Sequence, residues 1–322
     1  MTPDPGPAEP PRTPPAPVLS AGLLELGRRV ERRLPELLPS ADERPEAVHQ
    51  AMRYALTSPG KRLRPILTLV VAELFGVASE RADRPDRSGR SARVLDIACG
   101  IEMVHACSLI LDDLPSMDDA ALRRGRPTVH RAFGEAVALL AALALLNRAY
   151  ALVAEAAHHL PAKRYTSEDM IHHLAAAIGS HGLIGGQALD LSSRPEELDL
   201  ERLEFIHSHK TGALFMAAGE LGAMAADARR GDLELIARYA KNLGLAFQIS
   251  DDLLDVLSTP EEAGKDVGQD AAKVTFVKRL GVAGAQTLEA ELLGFAMASL
   301  EPLGKKAEPL REIARYVQHR RR

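Results

Sequence analysis

The stretch VLDIACGIEMVHACSLILDDLPSMDD, residues 94–119, decides how this chain is read. Val94–Leu111 is strongly apolar, with no period-two alternation, and the pattern predicts a buried helix. Asp112 and Asp113 end it, and Pro115 disfavours helical geometry at Leu114. That break matters. On a continuous helix Asp112 and Asp118 would point about 240° apart, so they converge only where the chain leaves the helix.

Outward from this stretch the reading is helix after helix. Ala21–Leu38 carries Leu23, Leu24, Leu26, Val30, Leu34 and Leu37 at helical spacing, and Pro65–Phe75 opens on a first-turn Pro and stops at Gly76. Further helices are expected over Ala132–Ala157, Ser167–Ile178, Leu200–Ala225, Leu233–Leu257 and Ala283–Leu300. No strand pattern competes, and the absence of Trp with only 4% aromatic residues agrees, because strands favour β-branched and aromatic side chains. The expectation is one all-α domain over residues 18–322, preceded by a disordered Pro-rich tail, residues 1–17. Residues 79–93, where arginines alternate with acidic residues, read as a solvated loop.

Composition excludes several function classes. A net charge of −4 offers no general attraction to nucleic acid or an anionic membrane. The tail has no apolar signal-peptide core, and the longest apolar run, Ala136–Leu146, falls short of the ~20 residues that span a bilayer. It reads as a buried helix, with no transmembrane segment. Cys99 and Cys107 lie eight apart, roughly 12 Å along a helix, too far to pair. A reducing, cytoplasmic setting is expected.

A second acidic cluster, FQISDDLLD (247–255), sets Asp251 and Asp255 four residues apart on one helical face, with Asp252 beside them. Like charges ~6 Å apart at an effective dielectric near 20 repel by roughly 3 kcal/mol. Two such clusters on apolar helices call for hard cations, and Mg²⁺ shared with substrate phosphates is the usual answer. Basic motifs accompany them. GKRLRP (60–65) places Lys61 and Arg64 at a helix start, an anion-binding position. Arg123 and Arg124 follow the first cluster, and His105 lies two turns before Asp112. Lys210-Thr211-Gly212 interrupts an apolar helix, where Gly weakens the helix and frees a carbonyl. GKDVGQDAAK (264–273) offers Lys265 and Lys273. His172, His173, His207 and His209 form no zinc pattern with the cysteines.

Taken together, GKRLRP (60–65), DDLPSMDDAALRRGRPT (112–128), GGQALDL (185–191), HKTGALF (209–215), FQISDDLLD (247–255) and GKDVGQDAAKVT (264–275) resemble the trans-isoprenyl diphosphate synthases. The resemblance spans roughly residues 20–320. Within the family it is closest to bacterial carotenoid-type geranylgeranyl diphosphate synthases. These also read SLILDD where many relatives have His at Leu111, and an Ala-rich stretch, here Ala142-Leu143, where relatives have Gly-Asp.

The resemblance implies a bundle of antiparallel helices around a deep cavity, usually a homodimer, binding several Mg²⁺ ions that bridge the diphosphate. It implies that Lys61, Arg64, His105 and Arg124 hold isopentenyl diphosphate. Arg123, Lys210, Lys265 and Lys273 would hold the allylic diphosphate (dimethylallyl, geranyl or farnesyl). Asp112, Asp118 and Asp251 would be the main metal ligands, with Asp113, Asp252 and Asp255 in support. Thr211 and Gln248 would stabilise the allylic cation. Cys107 and Ser108, small residues upstream of Asp112, would form the floor of a channel sized for a twenty-carbon product.

The other readings are a farnesyl or longer-chain synthase, a non-catalytic partner subunit and a terpene cyclase. Lys61 and Arg64, which suit a second diphosphate, count against the cyclase. The retention of both aspartate motifs counts against the silent subunit. The C-terminal residues 316–322 read as a solvated basic tail. Some relatives instead fold such residues over the bound diphosphates.

Overall fold

The computed structural model describes residues 19–78, 88–194, 198–257 and 274–320. The proline-rich tail, most of the 79–93 loop, and both Lys265 and Lys273 lie outside them. The described residues form an all-α bundle: α1 (Ala21–Glu36), α2 (Glu46–Leu56), α3 (Leu63–Leu74), α4 (Arg90–Asp112), α5 (Val129–Phe133), α6 (Glu135–His158), α7 (Ser167–Ile178), α8 (Leu183–Ser192), α9 (Leu200–His207), α10 (Ala213–Ala225), α11 (Arg230–Leu257), α12 (Phe276–Ser299) and α13 (Glu308–His319).

The central helix is α4, buried from Val94 through Val104 apart from Leu95 and again at Ala106, Cys107 and Ile110. It packs against α3, α6 and α10, while α11 bridges α10 and α12. Small residues set the closest crossings. A Cβ on Gly222 of α10 would lie 2.4 Å from the Thr68 carbonyl oxygen of α3. Thr68 Oγ1 in turn donates to the Ala218 carbonyl at 2.9 Å. Any larger residue at Gly222 would push apart the two helices that carry Arg64 and Phe215.

Several boundaries differ from the sequence expectation. The helix carrying the first aspartates begins at Arg90, so the expected loop ends four residues early. Helix α12 opens with a short helical segment from Phe276, and Gly281 (φ 70°, ψ 169°) interrupts the helix two residues before the expected start at Ala283. The expected 200–225 helix is α9 and α10 joined by a five-residue π-helical turn, Ser208–Gly212. Gly134 (φ 86°) separates α5 from α6. Three short helices, α2, α8 and α13, were not anticipated, nor was a small hairpin pairing Leu122–Arg123 with Arg126–Pro127.

The run Ala136–Leu146 also departs from expectation. It lies in α6, whose inner face (Ala138, Ala141, Ala142, Leu145, Ala149) is buried, but Leu139, Leu140 and Leu143 are 43–59% exposed. Both α4 and α6 are long and apolar enough to cross a membrane by length and composition. Yet α4 lies within the core, and α6 packs its inner face on α4.

The C-terminus corrects the solvated-tail reading at Arg320. Helix α13 buries Leu310, Ile313, Ala314 and Val317, a spacing that marks one helical face. Tyr239 Oη donates to the Leu310 carbonyl at 2.7 Å and Ser250 Oγ to that of Val317 at 3.1 Å. Arg320, just past the helix, is buried with them.

Facing Ser250 and Arg320 is Glu289 of α12, also buried. Burial raises its carboxyl to about 7 from 4.5, against the lowering effects of the Ser250 bond and the Arg320 charge. A raised folded-state value means stability that is whole below pH ~4.5 and lost as pH rises through about 7, by about 3 kcal/mol at most. Glu289→Gln should therefore flatten the pH dependence of Tm between pH 5 and pH 8. A variant with the wild-type slope would show that Glu289 does not contribute it.

Candidate active site

The first aspartate motif is shaped by the chain break. Helix α4 ends at Asp112, the backbone turns at Pro115, and Asp118 N–H donates to the Asp112 carbonyl at 2.9 Å. This return brings Asp118 into the field of Asp112. Burial raises the Asp112 carboxyl, Lys210 opposes the shift, and Asp118 adds to it. No described residue donates a hydrogen bond to that carboxylate. Asp113 points elsewhere: Arg123 Nε bonds both its oxygens, at 2.8 and 2.9 Å, and Nη2 lies 2.6 Å from Oδ1. Its carboxylate is taken up in fixing the hairpin arginine.

That hairpin turns on Arg124 (φ 55°) and Gly125 (φ 74°), consecutive left-handed residues suited to a tight two-residue turn. The turn sends Arg124 toward Gly60, where Nη1 donates to the Pro59 carbonyl at 2.5 Å. Arg62, itself left-handed (φ 51°), is buried and bonds Glu102 at 2.5 Å and the carbonyls of Leu56 and Ser58 at 2.9 and 2.7 Å. The loop presenting Lys61 and Arg64 is thus held from inside.

Arg64 stacks on Phe215, 4.4 Å from the ring centroid, with Phe247 at 6.0 Å. Burial draws its guanidinium down to about 10; Glu102 and Asp251 oppose that, while Arg124 and Arg320 add to it. Lys61 lies 5.8 Å over the Tyr316 ring. His105 is held well below its usual range by burial, then by Arg64, Arg124, Arg123 and Arg62, so the imidazole is neutral at pH 7. A concentration of cations this dense favours an anion among them. A cavity with room for water is lined by His105, Arg124, Tyr54 and Ser58.

The second motif lies on α11. Arg320 Nη2 sits 2.9 Å from Asp251 Oδ1, Nε donates to Ser250 Oγ at 2.9 Å, and Nη2 to the Phe247 carbonyl at 2.7 Å. Its guanidinium also stacks 3.8 Å from the Phe247 ring centroid. Asp255 follows one turn on, partly exposed. Asp252 is buried, bonded by Gln248 Nε2 and by Phe276 N–H, each at 3.0 Å.

Across from α11, the π turn carries Lys210 and Thr211. Lys210 Nζ donates to Asp190 Oδ2 at 2.6 Å and Thr211 Oγ1 to Gln248 Oε1 at 3.1 Å. Helix α8 approaches this turn so closely that a Cβ on Gly186 would lie 2.3 Å from the Lys210 nitrogen. Cys107 is buried, its thiol pushed up to about 12 by burial and then by the Asp112 charge. Ser108 Oγ donates to the His105 carbonyl at 2.9 Å.

Sequence reasoning missed Arg62, Glu102 and Asp190, and it placed Arg320 in a basic tail with two alternatives, solvated or folded over the diphosphates, without its contact to Asp251. Asp190 lay in a quoted motif, GGQALDL, and Arg62 in GKRLRP, but nothing local identifies their partners.

The donors fit Mg²⁺. They are carboxylate oxygens, and Asp112 is a half-buried acid whose ionised form burial disfavours. Among the described residues, no three His, Cys, Asp or Glu side chains converge to hold an ion alone. Phosphate oxygens from a substrate would have to complete its shell, as is usual for Mg²⁺.

Comparison with known proteins gives the family. A family model described as Polyprenyl synthetase matches residues 45–291. A geranylgeranyl diphosphate synthase of Cyanophora paradoxa is 40% identical over 301 residues, covering 92% of this chain and 95% of its own. A dimethylallyltranstransferase of Fischerella ambigua (strain UTEX 1903) is 42% identical over 276 residues, covering 85% and 76%. Among solved structures, an FPP/GFPP synthase from Zymomonas mobilis superposes with a TM-score of 0.78 at 34% identity, covering 92% and 97%.

Proposed function

The chain belongs to the polyprenyl synthetase family and is a trans-prenyltransferase, and from that premise we propose that it condenses isopentenyl diphosphate with allylic diphosphates to give geranylgeranyl diphosphate, using Mg²⁺. The observation that carries the reading is the pairing of two carboxylate motifs with a crowded cationic group. Arg64 lies in the field of Asp251, and Lys210 in that of Asp112.

Asp112, Asp118 and Asp251, with Asp255, would hold the metal ions, which supply charge neutralisation of the departing diphosphate. The chain's own residues do the rest. Lys61, Arg64 and Arg124 form a site for the diphosphate of the homoallylic substrate. Neutral His105 adds a hydrogen-bonding partner that carries no charge of its own. Lys210, now on Asp190, is placed to follow the allylic diphosphate as charge builds on it. Thr211 and Gln248 direct oxygen dipoles at the region where positive charge develops. The protein needs no covalent nucleophile.

The exposed apolar face of α6 supports a homodimer, since Leu139, Leu140 and Leu143 form one contiguous strip. Cys99 and Cys107, buried and unpaired, agree with a reducing, cytoplasmic setting.

The test is incubation with labelled isopentenyl diphosphate, Mg²⁺ and each allylic primer in turn, followed by chromatography of the hydrolysed products. The twenty-carbon alcohol should dominate with dimethylallyl, geranyl and farnesyl primers. A main product of fifteen carbons, or of more than twenty, would place the chain elsewhere in the family, and no incorporation would overturn the activity.

A further inference from the structure

Asp252 stands inside the second aspartate motif, where its neighbours suggest metal binding, but its surroundings are different. It is 4% exposed, and both oxygens are engaged by donors: Oδ1 by Gln248 Nε2 and Oδ2 by Phe276 N–H, each at 3.0 Å. An ionised carboxylate only accepts, so it dictates which end of the Gln248 amide faces it. The NH₂ group must turn to Asp252. The carbonyl oxygen must then turn the other way, where Thr211 Oγ1 donates to it at 3.1 Å. Donation converges on Asp252: Thr211 donates to Gln248 and Gln248 to Asp252 Oδ1, while Phe276 N–H donates to Oδ2.

We infer that Asp252 is a positioning residue, which locks Gln248 with its carbonyl oxygen toward Thr211 and the π turn and takes no part in holding metal. This rests on the prenyl-transfer reading, in which that oxygen faces the developing allylic cation. An amide free to flip would present its NH₂ group there instead, and the cation would meet a positive dipole. The link to Phe276 anchors the same carboxylate to the first turn of α12, so the amide is fixed from two helices.

The test exploits direction. In D252N one oxygen still serves Phe276 N–H, but the new NH₂ faces Gln248 and favours the flipped amide. Turnover should fall about ten- to a hundredfold, the scale on which single oriented dipoles act. Binding should not change. A non-ionising allylic thiolodiphosphate with Mg²⁺ should show a calorimetric Kd within about twofold of wild type, and the Mg²⁺ requirement should stay put. D252N/Q248E moves the carboxylate to position 248, where it accepts from both the introduced amide at position 252 and Thr211, and should regain about tenfold of the lost kcat.

Three outcomes would overturn the inference. They are a tenfold or greater weakening of Mg²⁺-dependent probe binding in D252N, undiminished turnover in D252N, and a double variant no better than the single. If D252N does not fold, the double variant decides alone: folded and active supports the inference, unfolded or inactive overturns it. An inactive wild type would overturn the parent reading and this one with it. An active wild type with any of the three outcomes overturns this one only.

Discussion

Asp112→Ala should lower turnover about a thousandfold or more while leaving the circular dichroism spectrum and Tm near wild type. The two halves of this expectation have one cause. Asp112 is half-buried, burial has raised its carboxyl, and no described residue donates a bond to it. Such a carboxylate costs the folded chain something, so removing it relieves the fold as it disables the site. Asp251→Ala should be as damaging to turnover but costlier to stability. Arg320, with its side chain 2% exposed, would lose one carboxylate partner while keeping Ser250 Oγ and the Phe247 carbonyl. A loss of about 1–3 kcal/mol is expected from leaving a buried cation partly unpaired. Steady-state rates across a Mg²⁺ titration, with thermal melts of both variants, make the check. A folded variant of either aspartate that turns over within about tenfold of wild type would sink the metal assignment.

The contrast between these aspartates and their neighbours shows how far the sequence could be read. Asp112, Asp118 and Asp251 were recognisable because spacing and a helix-breaking Pro115 fix where they must lie. Asp113 and Asp252 sit in the same motifs and look equivalent on paper. Their roles are set by Arg123, ten residues on, and by Phe276, across a segment of another helix. No local pattern reports such partners. Long apolar helices were legible for the same reason the first aspartates were: periodicity is local. The π turn at Ser208–Gly212 was visible only as a weak point at Gly212, because its geometry is imposed by the close approach of Gly186 and Gly244. Helix α13 could have been read, since Leu310, Ile313, Ala314 and Val317 mark a face. The three arginines that follow it give the segment the look of a solvated tail. Arg320 is charged and terminal, which argues for solvent; what holds it is a Ser, a ring, a carbonyl and a carboxylate from α11.

Cys107→Tyr should shift the main product from twenty carbons to fifteen, with condensation onto the ten-carbon primer kept within a few-fold of wild type. A growing prenyl chain anchored near Asp112 must run along α4, toward the residues one turn and more upstream. Cys107 is five residues before Asp112, buried, its thiol raised by that burial and then by the Asp112 charge, and it is the small residue that the resemblance puts at the floor of the channel. At 4% exposed it has little free space around it. A tyrosine ring there must either enter the path of the prenyl chain or force neighbouring side chains off their packing, at about 1–3 kcal/mol. The two possibilities separate cleanly. Entry into the path leaves Tm nearly unchanged and shortens the product. Core disruption lowers Tm and slows every primer alike without changing product length. Cys107→Ala supplies the matching control, since a smaller side chain should leave the product at twenty carbons or lengthen it. If Cys107→Tyr folds, melts like wild type and still makes mainly the twenty-carbon product, the floor of the channel lies elsewhere, and Ser108 becomes the next position to enlarge.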